Sequence, residues 1–225
     1  MSPDTVIKNN LSSPESSPEE SLSKALDKFY ETFQSDLDLV REGAKQHGVE
    51  LTSGGMFDMP TKGAYSLRIP GDSTKRQEEI TRLKACNTLT FVCMDYRQTG
   101  QVTEETHPDG VIANAGGPVQ PNQDRFNASI ALVRAILGVN PDVTLNLVGH
   151  VGVCGGANHF TDGHMKKLHQ QDINNPGNHE EWDAMKEMLL KFYTALQEAG
   201  VKKMKVGLAK IDNDNIYQEI EWLSV

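Results

Sequence analysis

Apolar residues recur at three- and four-residue steps in the first part of the chain, as they do along one face of a long helix. This face comprises Leu22, Ala25, Leu26, Phe29, Phe33, Leu37, Val40 and Ala44. Ser17, Pro18 and Glu20 have the spacing of a helix start, with a capping serine and a glutamate three residues later. The pattern predicts a helix that ends near Gly48 and buries this face on its own domain or on a partner subunit.

Short apolar runs alternate with helical periodicity through the rest of the chain. The predicted strands are residues 88–93, 143–148, 204–211 and 216–223. The predicted helices are residues 74–85, 123–138 and 179–199. This alternation predicts an α/β fold with a mainly parallel β-sheet flanked by helices, preceded by an N-terminal helical arm.

Polar segments indicate the domain boundaries. Residues 1–20 are rich in Ser, Pro, Asn and Glu, which predicts a disordered tail. We expect residues 21–72 to form the helical arm and a linker, and residues 73–225 to form the α/β domain. Residues 96–122 are turn-rich and residues 155–178 are rich in Gly, His and Asn, which predicts connections over the surface.

Charge and cysteine content narrow the function classes. The 225 residues carry 31 acidic and 22 basic side chains, a net charge of −9, which argues against binding of nucleic-acid phosphates. The sequence has no apolar run of about 18 residues and no apolar signal-peptide core, so we expect no membrane association and a cytoplasmic location. Three cysteines in such a chain favour reduced thiols that act as ligands or nucleophiles.

Two predicted strands end in residues that commonly bind metals. Cys93 ends one strand and is followed by Asp95 and Arg97, while His150 and Cys154 follow the other. The carboxyl ends of parallel strands share one sheet edge, where ligands bind. For any one of these residues alone, a buried side chain is the simplest interpretation. Two cysteines and a histidine together favour a zinc ion whose fourth coordination position is open to water. An ion pair with Arg97 would keep Asp95 ionised near the metal.

Three motifs in this order resemble the β-class carbonic anhydrases. They are Cys93-Met-Asp95-Tyr-Arg97, Asn114-Ala115-Gly116-Gly117, and Gly149-His150 followed by Cys154-Gly155-Gly156. The resemblance covers about residues 75–220 and implies that Cys93, His150 and Cys154 hold Zn²⁺ in a zinc-binding catalytic α/β domain. It further implies a homodimer or higher homo-oligomer in which the N-terminal helices embrace the partner.

The resemblance also implies an activity and roles for the surrounding residues. The chain would be a carbonate dehydratase-type zinc lyase that hydrates carbon dioxide to bicarbonate through a zinc-bound hydroxide, with Asp95 and Arg97 as catalytic residues. The implied substrate-pocket residues are Asn114, Ala115, Gly116 and Gly155. His159 and His164 are candidate proton shuttles, although a solvated polar connection is the simpler interpretation of the histidine-rich segment.

Three departures from the family pattern keep other functions open. Three residues instead of two separate His150 from Cys154, and we expect a bulge at Gly152 to absorb the extra residue. Ala113 replaces an arginine that usually precedes the Asn-Ala-Gly motif, and residues 83–86 lack a glutamine often found upstream. The alternatives are hydrolysis of carbonyl sulfide or carbon disulfide at the same site, and a non-catalytic, zinc-stabilised dimeric module.

Overall fold

Helices and strands alternate along the chain. The computed structural model describes residues 16–46, 65–66, 76–93, 101–102, 104–152, 154, 157–158, 161–175, 177–211 and 217–225. In chain order the elements are α1 (Pro18–Gln46), β1 (Tyr65–Ser66), α2 (Arg76–Ala85), β2 (Thr88–Cys93), β3 (Gly110–Asn114), α3 (Gln123–Val139), β4 (Thr144–His150), α4 (His164–Asn174), α5 (Glu180–Glu198), β5 (Met204–Ile211) and β6 (Tyr217–Trp222).

The strands form one six-stranded sheet with the order β1-β3-β2-β4-β5-β6. The first five strands are parallel to their neighbours, and β6 runs antiparallel to β5 at the edge. The central strands β2 and β4 are buried beyond their first residues, which explains their continuous apolar runs. The fold is therefore α/β with a mainly parallel sheet and packed helices, as the sequence predicts.

Three elements lie where the sequence predicts only turns or connections, and the first is β1, a two-residue strand in the predicted linker. β3 falls in the turn-rich segment, yet all five of its residues are buried and it pairs with β2 along its full length. Its short run gives no periodic signal, so pairing within the sheet decides its structure. The helix α4 falls in the histidine-rich segment and buries only Met165 among its own residues, so its apolar pattern is too weak to predict a helix.

The helix α1 begins as the sequence predicts and is buried on its own chain. Ser17 Oγ accepts a hydrogen bond from the Glu20 N–H at 3.2 Å. Four residues of the predicted face are buried in the main core, with α3 as the principal neighbour of α1: Leu22, Leu26, Phe29 and Phe33. The side chains of Leu37, Val40 and Ala44 lie outside the described residues. Burial within the chain therefore accounts for the first half of this face, and the dimer stays a prediction.

Polar contacts fix α1 against α2. Tyr30 Oη donates to Glu79 Oε1 at 2.7 Å, and Arg76 contacts Asp27 at 2.8 Å while its guanidinium lies 4.9 Å from the centre of the Tyr30 ring. Burial raises the pKa of the Glu79 carboxyl. Although α1 is 29 residues long, no helix within the described ranges is both long and apolar enough to cross a membrane.

Leu26→Ala tests how much the docking of α1 contributes to stability. Leu26 is fully buried, so its truncation removes apolar contacts and leaves a cavity. We expect the free energy of unfolding to fall by about 2–5 kcal/mol in urea titrations. Lys24→Ala, on the exposed side of the same helix, should change it by less than about 0.5 kcal/mol. Equal stability of the two variants would show that α1 is not part of the cooperative fold.

Candidate metal centre

Cys93, His150 and Cys154 form a buried cluster that could hold a metal ion. One ligand atom from each residue lies within 4.8 Å of the others, and all three side chains are buried. No other group of three His, Cys, Asp or Glu side chains in the described part of the chain meets this geometry. The structure therefore brings together the three residues that the sequence analysis selected.

Strand register explains why residues 57 positions apart meet. β2 and β4 pair in parallel up to Val92 and Val148, so Cys93 and His150 emerge at the same sheet edge. Cys154 follows four residues after His150 and returns to the same place. Neighbouring parallel strands thus deliver one thiol and one imidazole, and the connection after β4 delivers the second thiol.

The two sulfur atoms are close but not bonded. Cys93 Sγ and Cys154 Sγ lie 3.8 Å apart, far beyond the disulfide length of about 2.05 Å. Neither cysteine forms a disulfide bond within the described part of the chain. The pair can therefore present two sulfur donors to one ion.

A hydrogen bond selects the ring nitrogen through which His150 can bind a metal. His150 Nδ1 lies 3.0 Å from the carbonyl oxygen of Val151. A carbonyl only accepts hydrogen bonds, so Nδ1 carries the proton and Nε2 of the neutral ring carries the lone pair. The same contact fixes the ring orientation, as hydrogen bonds to the non-ligating nitrogen commonly do at metal sites.

The cluster is a poor environment for a thiolate until a cation is present. The hydrogen-bonding contact with Cys154, followed by burial, raises the pKa of the Cys93 thiol well above its usual range. Contact with His150 offsets part of this rise. At neutral pH the Cys93 thiol is therefore protonated in the metal-free protein.

Gly152, where we expect a bulge, lies in the connection between the two ligands, and the bulge stays a prediction. Gly152 has a φ of +83°, a backbone conformation that glycine adopts without strain. Its N–H donates to Glu181 Oε2 at 3.2 Å. The longer spacing between His150 and Cys154 is thus compatible with their convergence on Cys93.

The loop after β3 packs directly against Cys93. Asn114, the last residue of β3, is paired with Cys93 in the sheet. Gly117 has a φ of +57°, and a Cβ atom there would lie 2.3 Å from the backbone nitrogen of Cys93. Gln120 Nε2 donates to the carbonyl oxygens of Gly117 at 2.6 Å and Ala115 at 3.0 Å, and so fixes this loop.

Gln120 was not among the predicted site residues. The family resemblance predicts a glutamine before Cys93, whereas Gln120 follows Cys93 by 27 positions in the chain. Asn114 Nδ2 and Gln120 Oε1 are both buried, and neither atom has a hydrogen-bond partner among the residues that the structure describes. A buried donor and a buried acceptor thus lie in a loop that packs against Cys93.

Several predicted site residues lie outside the described residues. These are Asp95, Arg97, Gly155 and His159. His164 is the first residue of α4 and is exposed, and it is not part of the buried cluster. Asn114, Ala115 and Gly116 lie at the end of β3 and in the loop beside Cys93. The roles suggested for all these residues remain predictions.

Comparison with known proteins does not assign the chain to a family. No family model matches the sequence, and no curated protein matches it. Among solved structures, the chain is similar to that of the β-carbonic anhydrase CcaA, with 16% sequence identity and a TM-score of 0.35. The match covers 68% of this chain and 85% of that one. The evidence for a metal centre in this chain therefore lies in its own donor atoms.

Metal uptake should release protons. Binding requires thiolates, and Cys93 is protonated in the metal-free protein, so the ion displaces at least the proton of the Cys93 thiol. We expect one ion per chain and an affinity that falls as the pH is lowered and protons compete. Calorimetric titration with Zn²⁺ in buffers of different ionisation enthalpy measures the protons released. An enthalpy independent of the buffer would contradict thiol ligation.

The third cysteine provides a matched control. Cys86 Sγ donates to the Thr88 carbonyl at 3.1 Å, and burial raises the pKa of its thiol to about 12, away from the cluster. Cys93→Ser should abolish stoichiometric metal binding, whereas Cys86→Ser should leave one ion per chain, as measured by elemental analysis. Loss of metal in both variants, or in neither, would show that the ligand set is wrong.

Proposed function

We propose that the chain is a zinc-dependent lyase that hydrates carbon dioxide to bicarbonate. The observation that carries the proposal is the buried cluster of two thiols and one imidazole at the carboxyl edge of a parallel sheet. When bound, zinc lowers the pKa of a water molecule and supplies a nucleophile near neutral pH. The remaining steps depend on how the chain holds the ion and the substrate.

The donor set fits zinc in chemistry and in spacing. Two sulfurs and one imidazole nitrogen are ligands that zinc prefers, and three protein ligands are typical of catalytic zinc. In a tetrahedral site with Zn–S bonds of about 2.3 Å, two sulfurs lie about 3.8 Å apart. The Sγ atoms of Cys93 and Cys154 are 3.8 Å apart without any adjustment.

The loop after β3 is a candidate binding surface for a small substrate. Asn114 Nδ2 can donate and Gln120 Oε1 can accept a hydrogen bond, and both atoms are buried. A buried polar group that makes no hydrogen bond costs about 1–3 kcal/mol, which a bound polar molecule would offset. Bicarbonate has both an acceptor oxygen and a donor hydroxyl, so it matches this pair.

Asp95 and Arg97 would control proton transfer beside the metal. They follow Cys93 by two and four positions, and residues two apart on an extended segment point to the same side. The guanidinium of Arg97 would keep the Asp95 carboxylate ionised, so that Asp95 accepts a hydrogen bond or a proton beside the metal. The pairing would also keep Asp95 from binding the ion itself.

Two other functions use the same cluster. Hydrolysis of carbonyl sulfide or carbon disulfide needs the same nucleophile and a pocket that admits sulfur. A non-catalytic dimeric module would use the ion only to stabilise the fold, and it would bind zinc without turnover.

A stopped-flow assay of carbon dioxide hydration on zinc-loaded protein tests the proposal. We expect hydration that requires the ion and is absent in Cys93→Ser. Zinc binding without hydration, accompanied by release of hydrogen sulfide from carbonyl sulfide, would favour the sulfur substrates. Zinc binding with neither activity would favour the non-catalytic module.

Asp95→Asn separates catalysis from metal binding. The amide has the same shape but cannot take up a proton, so we expect one zinc per chain and a fall in kcat of about 10²–10⁴-fold. Wild-type kcat in this variant would show that Asp95 has only a structural role. Elemental analysis on the same sample gives the metal content.

A further inference from the structure

A buried carboxylate holds the connection between His150 and Cys154 from behind. The Glu181 side chain is only 4% exposed. Its Oε2 accepts a hydrogen bond from the buried Gly152 N–H at 3.2 Å. A charged acceptor makes this bond stronger than one between neutral groups, so it restrains the turn that returns Cys154 to the cluster.

The same oxygen atom is oriented by a histidine of α4. His169 Nδ1 lies 2.7 Å from Glu181 Oε2. An ionised carboxylate only accepts hydrogen bonds, so His169 donates from Nδ1. The His169 side chain is 22% exposed and lines a groove with a volume of about 710 Å³, so the pair joins the interior of the protein to its surface.

The helix α4 also fixes the backbone of Glu181. The two carboxylate oxygens of Asp172 accept hydrogen bonds from the N–H groups of Glu180 and Glu181, each at 2.9 Å. These N–H groups belong to the first turn of α5 and have no partner within that helix. His169 and Asp172 are three residues apart and thus share one face of α4, which contacts both the backbone and the side chain of Glu181.

A glutamate at this position of α5 calls for a specific explanation. The buried residues of α5 recur at three- and four-residue steps: Glu181, Met185, Leu189, Phe192 and Leu196. Glu181 therefore occupies the first position of an apolar stripe. A charged group buried there costs free energy unless it is hydrogen-bonded, and its bonds lead to the metal-binding connection.

We propose that Glu181 is a positioning residue of the metal centre. By holding the Gly152 N–H, it sets the turn that brings Cys154 to Cys93 and His150, and His169 holds Glu181 in place. The inference rests on the proposed metal-binding function. Groups behind the ligands commonly alter metal affinity by about 10–100-fold when they are removed.

Glu181→Met tests this role, with Glu180→Met as the matched control. Methionine fits an apolar stripe and lacks the acceptor oxygen, whereas Glu180 is the exposed neighbour in the same turn. We expect Glu181→Met to bind Co²⁺ about 10–100-fold more weakly than wild type in chelator competition. The sulfur-to-cobalt charge-transfer band should also change, and Glu180→Met should match wild type in both measurements.

Glu181→Gln distinguishes positioning from general stability. The amide oxygen can still accept from Gly152, so this variant should recover most of the affinity that Glu181→Met loses. Amide hydrogen exchange of the segment containing Gly152, measured on metal-free protein, should be faster in Glu181→Met than in Glu181→Gln. If Glu181→Met does not fold, His169→Ala decides the matter, since loss of the orienting bond should weaken Co²⁺ binding several-fold.

Several outcomes would overturn the proposal. One is a folded Glu181→Met variant with the Co²⁺ affinity and spectrum of the wild type. If Glu181→Met does not fold, the corresponding outcome is wild-type Co²⁺ affinity and spectrum in His169→Ala. Another is a loss in Glu181→Gln as large as that in Glu181→Met. Failure of the wild-type protein to bind Co²⁺ would refute both this role and the proposed function. Weaker binding by Glu181→Met in a protein that binds zinc without hydrating carbon dioxide would support this role and refute the enzymatic function alone.

Discussion

The parallel pairing of β2 with β4 is the constraint on which the candidate metal centre depends. This pairing brings Cys93 and His150, which are distant in sequence, to one edge of the sheet. Cys154 completes the cluster at the same edge. A shift of one residue in this register would turn alternate side chains to the other face and separate the thiol from the imidazole. Burial of both strands in the centre of the sheet makes such a shift costly.

The helices hold this edge in place from two directions. The main core joins α1, α2, α3 and α5 to the face of the sheet that carries Leu89 and Phe91, so the docking of α1 supports the same strand that ends at Cys93. The helix α4 adds Met165 to this core and also contacts α5 through polar groups. Hydrophobic packing thus fixes the strands, while directional hydrogen bonds fix the connection that follows β4.

Much of the fold could be predicted because the patterns that specify it are local. The strand predicted over 204–211 coincides with β5, and the capping residues before α1 mark its start correctly. β3 and α4 could not be predicted, since the first depends on pairing with β2 and the second is a polar helix with one buried residue of its own. Patterns based on apolar periodicity do not register either feature.

The same distinction holds at the candidate site. The three metal-binding candidates could be selected because their residue types are chemically distinctive and strand ends are identifiable from sequence. Gln120 and Glu181 act through hydrogen bonds to the backbone, which residue types alone do not reveal. Glu181 did leave one signal, a charged residue in step with the apolar positions of its helix.

The close approach of Gly117 to Cys93 places a limit on how this protein can vary. Gly117 has no donor atom, yet even the smallest side chain there would occupy the space of the backbone that carries the Cys93 thiol. A mutation at this position would therefore impair metal binding by displacing Cys93, although it changes none of the ligand residues. The metal centre thus depends also on a residue that provides no ligand and matters only because it has no side chain.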